Sequence, residues 1–85
     1  MREKSVLTGA VRAITYPGVG TPARLHIRLQ TARGIISLIF LSRETIECID
    51  IGSQLTVTGT LTTHRAIPTM FNPSYVVEDS HEQQQ

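Results

Sequence analysis

A chain of 85 residues, 40% of them hydrophobic, is too short for two cores and too apolar to be disordered, so it predicts one small domain. No apolar run approaches the roughly 20 residues of a membrane span, and the opening "MREKSVLTG" lacks the apolar segment of a secretory signal. The lone Cys48 excludes an intramolecular disulfide and a cysteine-based zinc site. We therefore expect a cytoplasmic protein with no membrane partner.

The net charge of +1 conceals an uneven distribution of charge along the chain. The segment 4–43 contains cations and no acid, and its cations are Lys4, Arg12, Arg24, Arg28, Arg33 and Arg43. The acids lie before this segment, in 44–50 and in 78–82. One half of the chain should therefore present a positive surface, which favours a polyanionic partner.

The first half of the sequence predicts three strands separated by turns: residues 5–16, 23–30 and 35–42. Gly9 indicates a bulge or a close approach within the first strand. The segment "PGVGTP" (17–22) is a turn-rich connection. "TARG" (31–34) predicts a tight turn, so the second and third strands should form a hairpin. The third strand is apolar enough to be covered on both faces.

The second half predicts a short helix and two further strands: helix 42–52 and strands 54–64 and 74–79. Ser42 is a candidate N-cap, and Ile46 and Ile49 are spaced to share one side of a helical turn. Residues 65–73 are predicted to be a loop.

Three strands, one short helix and two strands form the order of an OB-fold, an all-β five-stranded Greek-key barrel. Gly9 and Gly59 would relieve the bends of the first and fourth strands in such a barrel. We predict an OB-fold domain over residues 1–79, with its helix between strands 3 and 4. Residues 80–85 should be a disordered polar tail.

The second predicted strand carries a basic row. In "ARLHIRLQ" the side chains of Arg24, His26 and Arg28 occupy alternate positions and therefore point to one face. A solvated strand needs only soluble residues, which lysine, glutamate or threonine would supply equally well. Guanidinium groups neutralise phosphates and also stack on bases, so the all-basic choice favours single-stranded nucleic acid.

Four stretches together resemble the OB-fold nucleic-acid-binding family: "VLTGAVRAI", "LHIRLQTARGIISLIFL", "IDIGSQLTVTGTL" and "TMFNPSYVV". The resemblance covers residues 5–79. That family includes tRNA anticodon-binding domains, the wedge domain of RecG-type helicases and small stand-alone bacterial proteins. It implies a ligand lying across strands 2 and 3, flanked by the loops between strands 1 and 2 and between strands 4 and 5. The residues that it assigns to this site are Tyr16, Arg24, His26, Arg28, Ser37, His64, Arg65 and Phe71.

Several of these residues have a second interpretation. Arg33, like the pair His64 and Arg65, either extends the basic track or only solvates a turn. Tyr16 either stacks on a base or packs over the end of the barrel. Phe71 is either a loop aromatic that meets the ligand or a buried anchor.

Motifs of catalysis and cofactor binding are missing from the sequence. The three histidines lack metal-site spacing, and no paired carboxylates, phosphate-binding loop or nucleophile elbow is present. We predict a non-catalytic protein, without cofactor or metal, that binds single-stranded DNA or RNA with weak sequence preference. The alternative is a protein-interaction module that uses a strand edge or the strand 2–3 face to bind a protein partner or itself. A third, tRNA-directed role follows from the resemblance alone.

Overall fold

The computed structural model describes residues 4–41, 43, 45–46 and 48–78. The protein is all-β, as predicted, and its described residues form strands and loops without a helix. The strands are β1 (Lys4–Thr15), β2 (Arg24–Thr31), β3 (Gly34–Leu41), β4 (Gln54–Thr60), β5 (Thr62–His64), β6 (Ile67–Phe71) and β7 (Ser74–Glu78). The predicted tail 80–85 and the predicted N-cap Ser42 lie outside the described residues.

All seven strands belong to one mixed sheet with the order β5-β6-β3-β2-β1-β4-β7. Neighbouring strands are antiparallel, except that β6 runs parallel to β3. Only Leu61 separates β4 from β5, and only residues 72–73 separate β6 from β7. Thr62 of β5 lies opposite Thr69 of β6, and Thr58 of β4 lies opposite Ser74 of β7. The segment β6–β7 therefore runs back along β5 and β4.

The two-residue period of β2 determines which face is buried. Leu25, Ile27 and Leu29 are fully buried, while Arg24 and Arg28, which alternate with them, are exposed. Burying one such apolar side chain contributes about 1.5–3 kcal/mol, so this alternation fixes the orientation of β2 in the sheet. The core is completed by β1, β3, β4 and β6, and by two isoleucines of the connection between β3 and β4.

Strand β3 is covered on both faces, as its apolar sequence predicted. Ile36, Leu38 and Phe40 point into the core. Ser37 and Ile39 point to the opposite face, yet only 4% and 5% of their surfaces are exposed. The second covering layer comes from the neighbouring strands, and it forms the site described below.

The predicted helix over 42–52 is wrong for the residues described there. Ile46 and Ile49 are buried in the core, as their spacing indicated, but the described residues of this connection belong to no helix. Cys48 has a φ of +65°, which is outside the right-handed helical region and breaks any helix between the two isoleucines. The connection then ends in a turn in which the Ser53 N–H donates to the Asp50 carbonyl at 2.9 Å.

The predicted loop 65–73 is also wrong in part, because it contains β6. Pro68 is an unusual residue for a strand, since proline cannot donate a hydrogen bond to a neighbouring strand. The pairing of β6 with β3 begins one residue later, with Thr69 opposite Ser37, so the missing N–H costs no bond to β3. The predicted strand 54–64 is present but is interrupted at Leu61.

Gly9 is a point of close approach, and the bulge of β1 lies elsewhere. The register between β1 and β2 shifts between Val11 and Ala13. A Cβ atom built on Gly9 would collide with the backbone carbonyl of Gln30 on β2. The sequence therefore predicted the close approach at Gly9 but not the position of the bulge.

The turn between β5 and β6 stores backbone strain. Arg65 and Ala66 have φ values of 55° and 68°. A two-residue type I′ hairpin requires positive φ at both positions, and for this reason Asn-Gly is the preferred sequence there. An alanine in this region costs about 1–2 kcal/mol. We expect Ala66→Gly to raise the free energy of unfolding by about 1 kcal/mol and the Tm by about 4–8 °C in thermal melts.

Ala32 in the turn between β2 and β3 is the matched control. It is also exposed, but its φ is not positive. Ala32→Gly should lower stability by about 0.5–1 kcal/mol, because glycine only adds freedom to the unfolded chain. If both substitutions shifted the Tm in the same direction, strain at Ala66 would not be the cause.

The described part of the chain contains no helix that is long and apolar enough to cross a membrane.

Candidate functional site

Most of the predicted site residues share one face of β2, β3, β5 and β6, opposite the core. Arg28 lies opposite Ser37, and Ser37 in turn lies opposite Thr69. One step along the strands, His26 lies opposite Ile39, which lies opposite Phe71. We call this surface the basic face, and its residues are Arg24, His26, Arg28, Ser37, Ile39, His64, Thr69 and Phe71.

The floor of the basic face is small and buried. Ser37, Ile39 and Thr69 point away from the core, but their exposed fractions are 4%, 5% and 0%. The larger side chains of His26 and Phe71 stand on the two strands that flank Ile39. They shield the floor from water, so the surface presents rings rather than strand backbone.

His26 is held in place by a hydrogen bond, and its surroundings favour the uncharged form of its ring. Its Nε2 lies 3.0 Å from the hydroxyl Oγ of Ser37, so the two side chains share a hydrogen bond across the β2–β3 pair. Burial lowers the pKa of His26 from its ordinary value of 6.5, and the charges of Arg28 and His64 lower the pKa further. The lowered pKa favours the uncharged form of the ring, which can both donate and accept a hydrogen bond.

The Arg28 effect predicts a measurable change. Arg28→Gln should raise the pKa of His26 towards 6.5, since it removes a cation that opposes protonation. Arg24 flanks His26 at the same spacing on the other side, so Arg24→Gln, which removes the same charge, is the matched control and should change the pKa of His26 less. An NMR titration of the His26 ring protons measures both variants. If the two variants raised the pKa of His26 equally, the effect would not be specific to Arg28.

The direction of the His26 shift also predicts how stability depends on pH. The pKa is lower in the folded state than in the unfolded chain, so the unfolded chain binds the proton more tightly. The contribution of His26 to stability is therefore present above about pH 6.5 and is lost as the pH falls through the pKa of the folded state.

His64 and Phe71 form a second pair of rings. Their centroids lie 5.6 Å apart at an interplanar angle of 85°, an edge-to-face arrangement. Phe71 belongs to β6 and is 39% exposed, so it is neither a loop aromatic nor a buried anchor. Because His64 acts on the pKa of His26, the pair lies within electrostatic reach of that ring.

Arg33 and Arg65 lie in turns at the same end of the sheet. Arg33 belongs to the turn between β2 and β3, and Arg65 to the turn between β5 and β6. Because β3 and β6 are parallel neighbours, the turns that precede them meet at one end. Both side chains are exposed there. Arg24, paired with Leu41, marks the opposite end of the basic face.

Tyr16 does not belong to the basic face. It follows Thr15, which pairs with His26, but its ring is 52% exposed and lines a separate open cleft. The cleft is formed by Tyr16, residues 17–21 of the same loop, and Thr45.

Thr69 and Asn72 are the site residues that sequence reasoning missed. The side-chain oxygen of Asn72 accepts a hydrogen bond from the backbone N–H of Leu41 at 2.8 Å. The backbone N–H of Asn72 donates to the Ile39 carbonyl at 2.7 Å. Asn72 thereby fastens the end of β6 to β3 and positions Phe71. The signal was present in "FNP", because asparagine tolerates its φ of +50°. Thr69 gave no signal, since it lay in a predicted loop.

The basic face carries no negative charge among the residues described. The acids within that part of the chain are Asp50 and Glu78. Asp50 lies in the turn before β4, and Glu78 lies on β7, where its carboxylate accepts a hydrogen bond from Thr56 at 2.9 Å. The described part of the chain also contains no cluster of three or more metal-ligating side chains.

Comparison with known proteins adds no identification: the sequence matches no protein-family model and no curated protein at a significant level. The functional argument therefore depends on the chemistry of the basic face.

Proposed function

We propose that the protein binds single-stranded nucleic acid on the basic face, without catalysis and without a cofactor. The observation that carries this proposal is the convergence of cations and flat rings on one patch. Arg28 and His26 come from β2, whereas the His64–Phe71 pair comes from β5 and β6. These two strands are distant from β2 in sequence, but only β3 separates them from it in the sheet.

Two kinds of interaction bind a single strand, and the basic face offers both. Cations neutralise phosphates and release counterions, and four exposed arginines lie along or at the ends of this face: Arg24, Arg28, Arg33 and Arg65. Flat side chains stack on bases with about 1–3 kcal/mol each. His26, His64 and Phe71 are the rings available for stacking.

The strand connectivity supports an OB-type barrel as the scaffold. If β4 with β5, and β6 with β7, are each taken as one bent strand, the chain has five strands. Strand β1 then pairs with β2 and with the fourth strand, and the fifth strand pairs with the fourth and, in parallel, with β3. OB-folds bind oligonucleotides on the face of strands 2 and 3, where the basic face lies.

The hydroxyl groups of the floor favour neither DNA nor RNA. The Ser37 hydroxyl shares a hydrogen bond with His26, and the Thr69 hydroxyl donates a hydrogen bond to the carbonyl of Ile67 at 2.8 Å. Neither hydroxyl is free to recognise a ribose 2′-hydroxyl. We therefore expect similar affinities for DNA and RNA, and a weak sequence preference because stacking tolerates every base.

A salt series on the wild-type protein tests the proposal. Fluorescence anisotropy of a labelled mixed-sequence single strand should show log K falling linearly with log salt. The slope should be about 2–3, since each of three to four phosphates contributes about 0.7. The duplex of the same sequence is the control and should bind more weakly, because its bases cannot reach the rings. The absence of binding at low salt would overturn the proposal. Equal affinity for the duplex would show that base stacking on the rings does not contribute to binding.

A further inference from the structure

The two ends of the sheet are protected to different degrees. Strand β5 has three residues and is followed directly by Arg65. Strand β7 has five residues, and its centre, Tyr75 to Val77, contains neither a charge nor a proline. Among the described residues, β7 pairs only with β4. Natural proteins block such an edge with charge, proline or shortness. Within β7 only Glu78 is charged, and the nearest proline, Pro73, precedes the strand.

We propose that β7 pairs antiparallel with β7 of a second copy of this chain, about a two-fold axis at Val76. In this register Val76 faces Val76 of the second copy. Ser74 faces Glu78 of the second copy, and the same contact recurs on the other side of the axis. A two-fold interface brings one surface against itself, so the strand must be complementary to its own reverse, as β7 is.

The residues of β7 fit this register. Val76 is 62% exposed, and its pairing with its counterpart would cover an apolar side chain that β4 leaves open. The Ser74 hydroxyl can donate to the Glu78 carboxylate opposite it. The two carboxylates lie at opposite ends of the paired strands, about 14 Å apart along the strand, which exceeds the Debye length of about 8–10 Å. A register that placed Glu78 against Glu78 would instead be repelled.

The inference goes beyond the proposed function and does not depend on it. The basic face is built from β2, β3, β5 and β6, and none of its residues lies on β7. Pairing through β7 therefore leaves the basic face of each copy open. Association and nucleic-acid binding can fail or succeed independently in the tests.

The dimer should be weak and concentration-dependent. A paired strand of five residues is about 17 Å long, and it buries less than the roughly 800 Å² per partner of a stable interface. Sedimentation equilibrium over a hundredfold range of concentration should show the mass rising from 9.4 kDa towards twice that value. A mass of one chain at every concentration would overturn the proposal.

A matched pair of valine substitutions distinguishes the edge from the adjoining face. Val76→Lys places two cations against each other at the axis and should keep the protein monomeric. Val6→Lys is the control, because Val6 is 63% exposed but lies on β1, away from the edge. If Val6→Lys abolished association as fully as Val76→Lys, the copies would meet face to face, and the edge register would be wrong.

Disulfide trapping tests the register directly. Cys48 is exposed and is first replaced by Cys48→Ser. In that background, Val76→Cys should form a cross-linked dimer on mild oxidation, because opposed residues of paired strands lie about 5 Å apart. Ser74→Cys should cross-link at least tenfold more slowly, since its counterpart lies at the other end. Equal rates for the two variants would exclude the two-fold axis at Val76.

Discussion

Gly9→Ala is expected to remove a large part of the protein's stability. The added methyl group would collide with the backbone carbonyl of Gln30, and it would lie 2.8 Å from the Gln30 carbonyl carbon. Backbone atoms cannot rotate away as a side chain can, so β1 and β2 must separate where they pair. Overpacking of this kind costs about 3 kcal/mol.

A cost of that size is serious for this chain. Stabilities of about 0.05–0.15 kcal/mol per residue give a domain of 85 residues only about 4–13 kcal/mol in total. We expect the Tm of Gly9→Ala to fall by about 15 °C and the midpoint of urea unfolding to fall with it. Circular dichroism at a strand wavelength measures both transitions.

Gly18 is the matched control for this substitution. A Cβ atom there would meet only the side chain of Thr21, at 3.8 Å, and its φ is not positive. Gly18→Ala should leave stability unchanged or raise it slightly, because alanine restricts the unfolded chain. If Gly18→Ala and Gly9→Ala lost equal stability, the close approach of β1 to β2 would not explain the loss.

The elements that depend on local pattern could be predicted from the sequence. The alternation of Leu25, Ile27 and Leu29 with basic residues located β2 and its buried face. The turn at residues 31–34 then determined the register with β3. Arg28 and Ser37 lie opposite each other in this register. Ser37 was assigned to the site only by the resemblance to the OB-fold family, and the hydrogen bond between His26 and Ser37 was not predicted.

The elements that depend on distant partners could not be predicted in the same way. Strand β6 contains Pro68 and has no alternating pattern, and its structure comes from pairing with β3 and β5. Its omission concealed Thr69 and the ring pair of Phe71 with His64. The helix was predicted from the spacing of Ile46 and Ile49, but two buried side chains three residues apart also occur in an irregular segment.

Removing the arginines of the basic row on β2 is expected to weaken the binding of single-stranded nucleic acid strongly. Arg24→Ala/Arg28→Ala should reduce affinity for a single strand about 25-fold at 0.1 M salt, because each phosphate contact contributes about 0.7 to the salt exponent. The slope of log K against log salt should fall by about 1.4 for the same reason. Anisotropy titrations at several salt concentrations measure the affinity and the slope together.

Net charge alone would also weaken binding, so the control removes the same charge elsewhere. In Lys4→Ala/Arg43→Ala, Lys4 pairs with Thr60 at the start of β1, and Arg43 lies 5.5 Å from the ring centroid of the core residue Phe40. Neither flanks His26, so this variant should lose only a few-fold in affinity and keep its salt slope. Equal losses in the two double variants would mean that the whole molecule attracts the polyanion. A large loss of affinity with an unchanged slope in Arg24→Ala/Arg28→Ala would mean that these arginines support the stacking rings and do not contact phosphate.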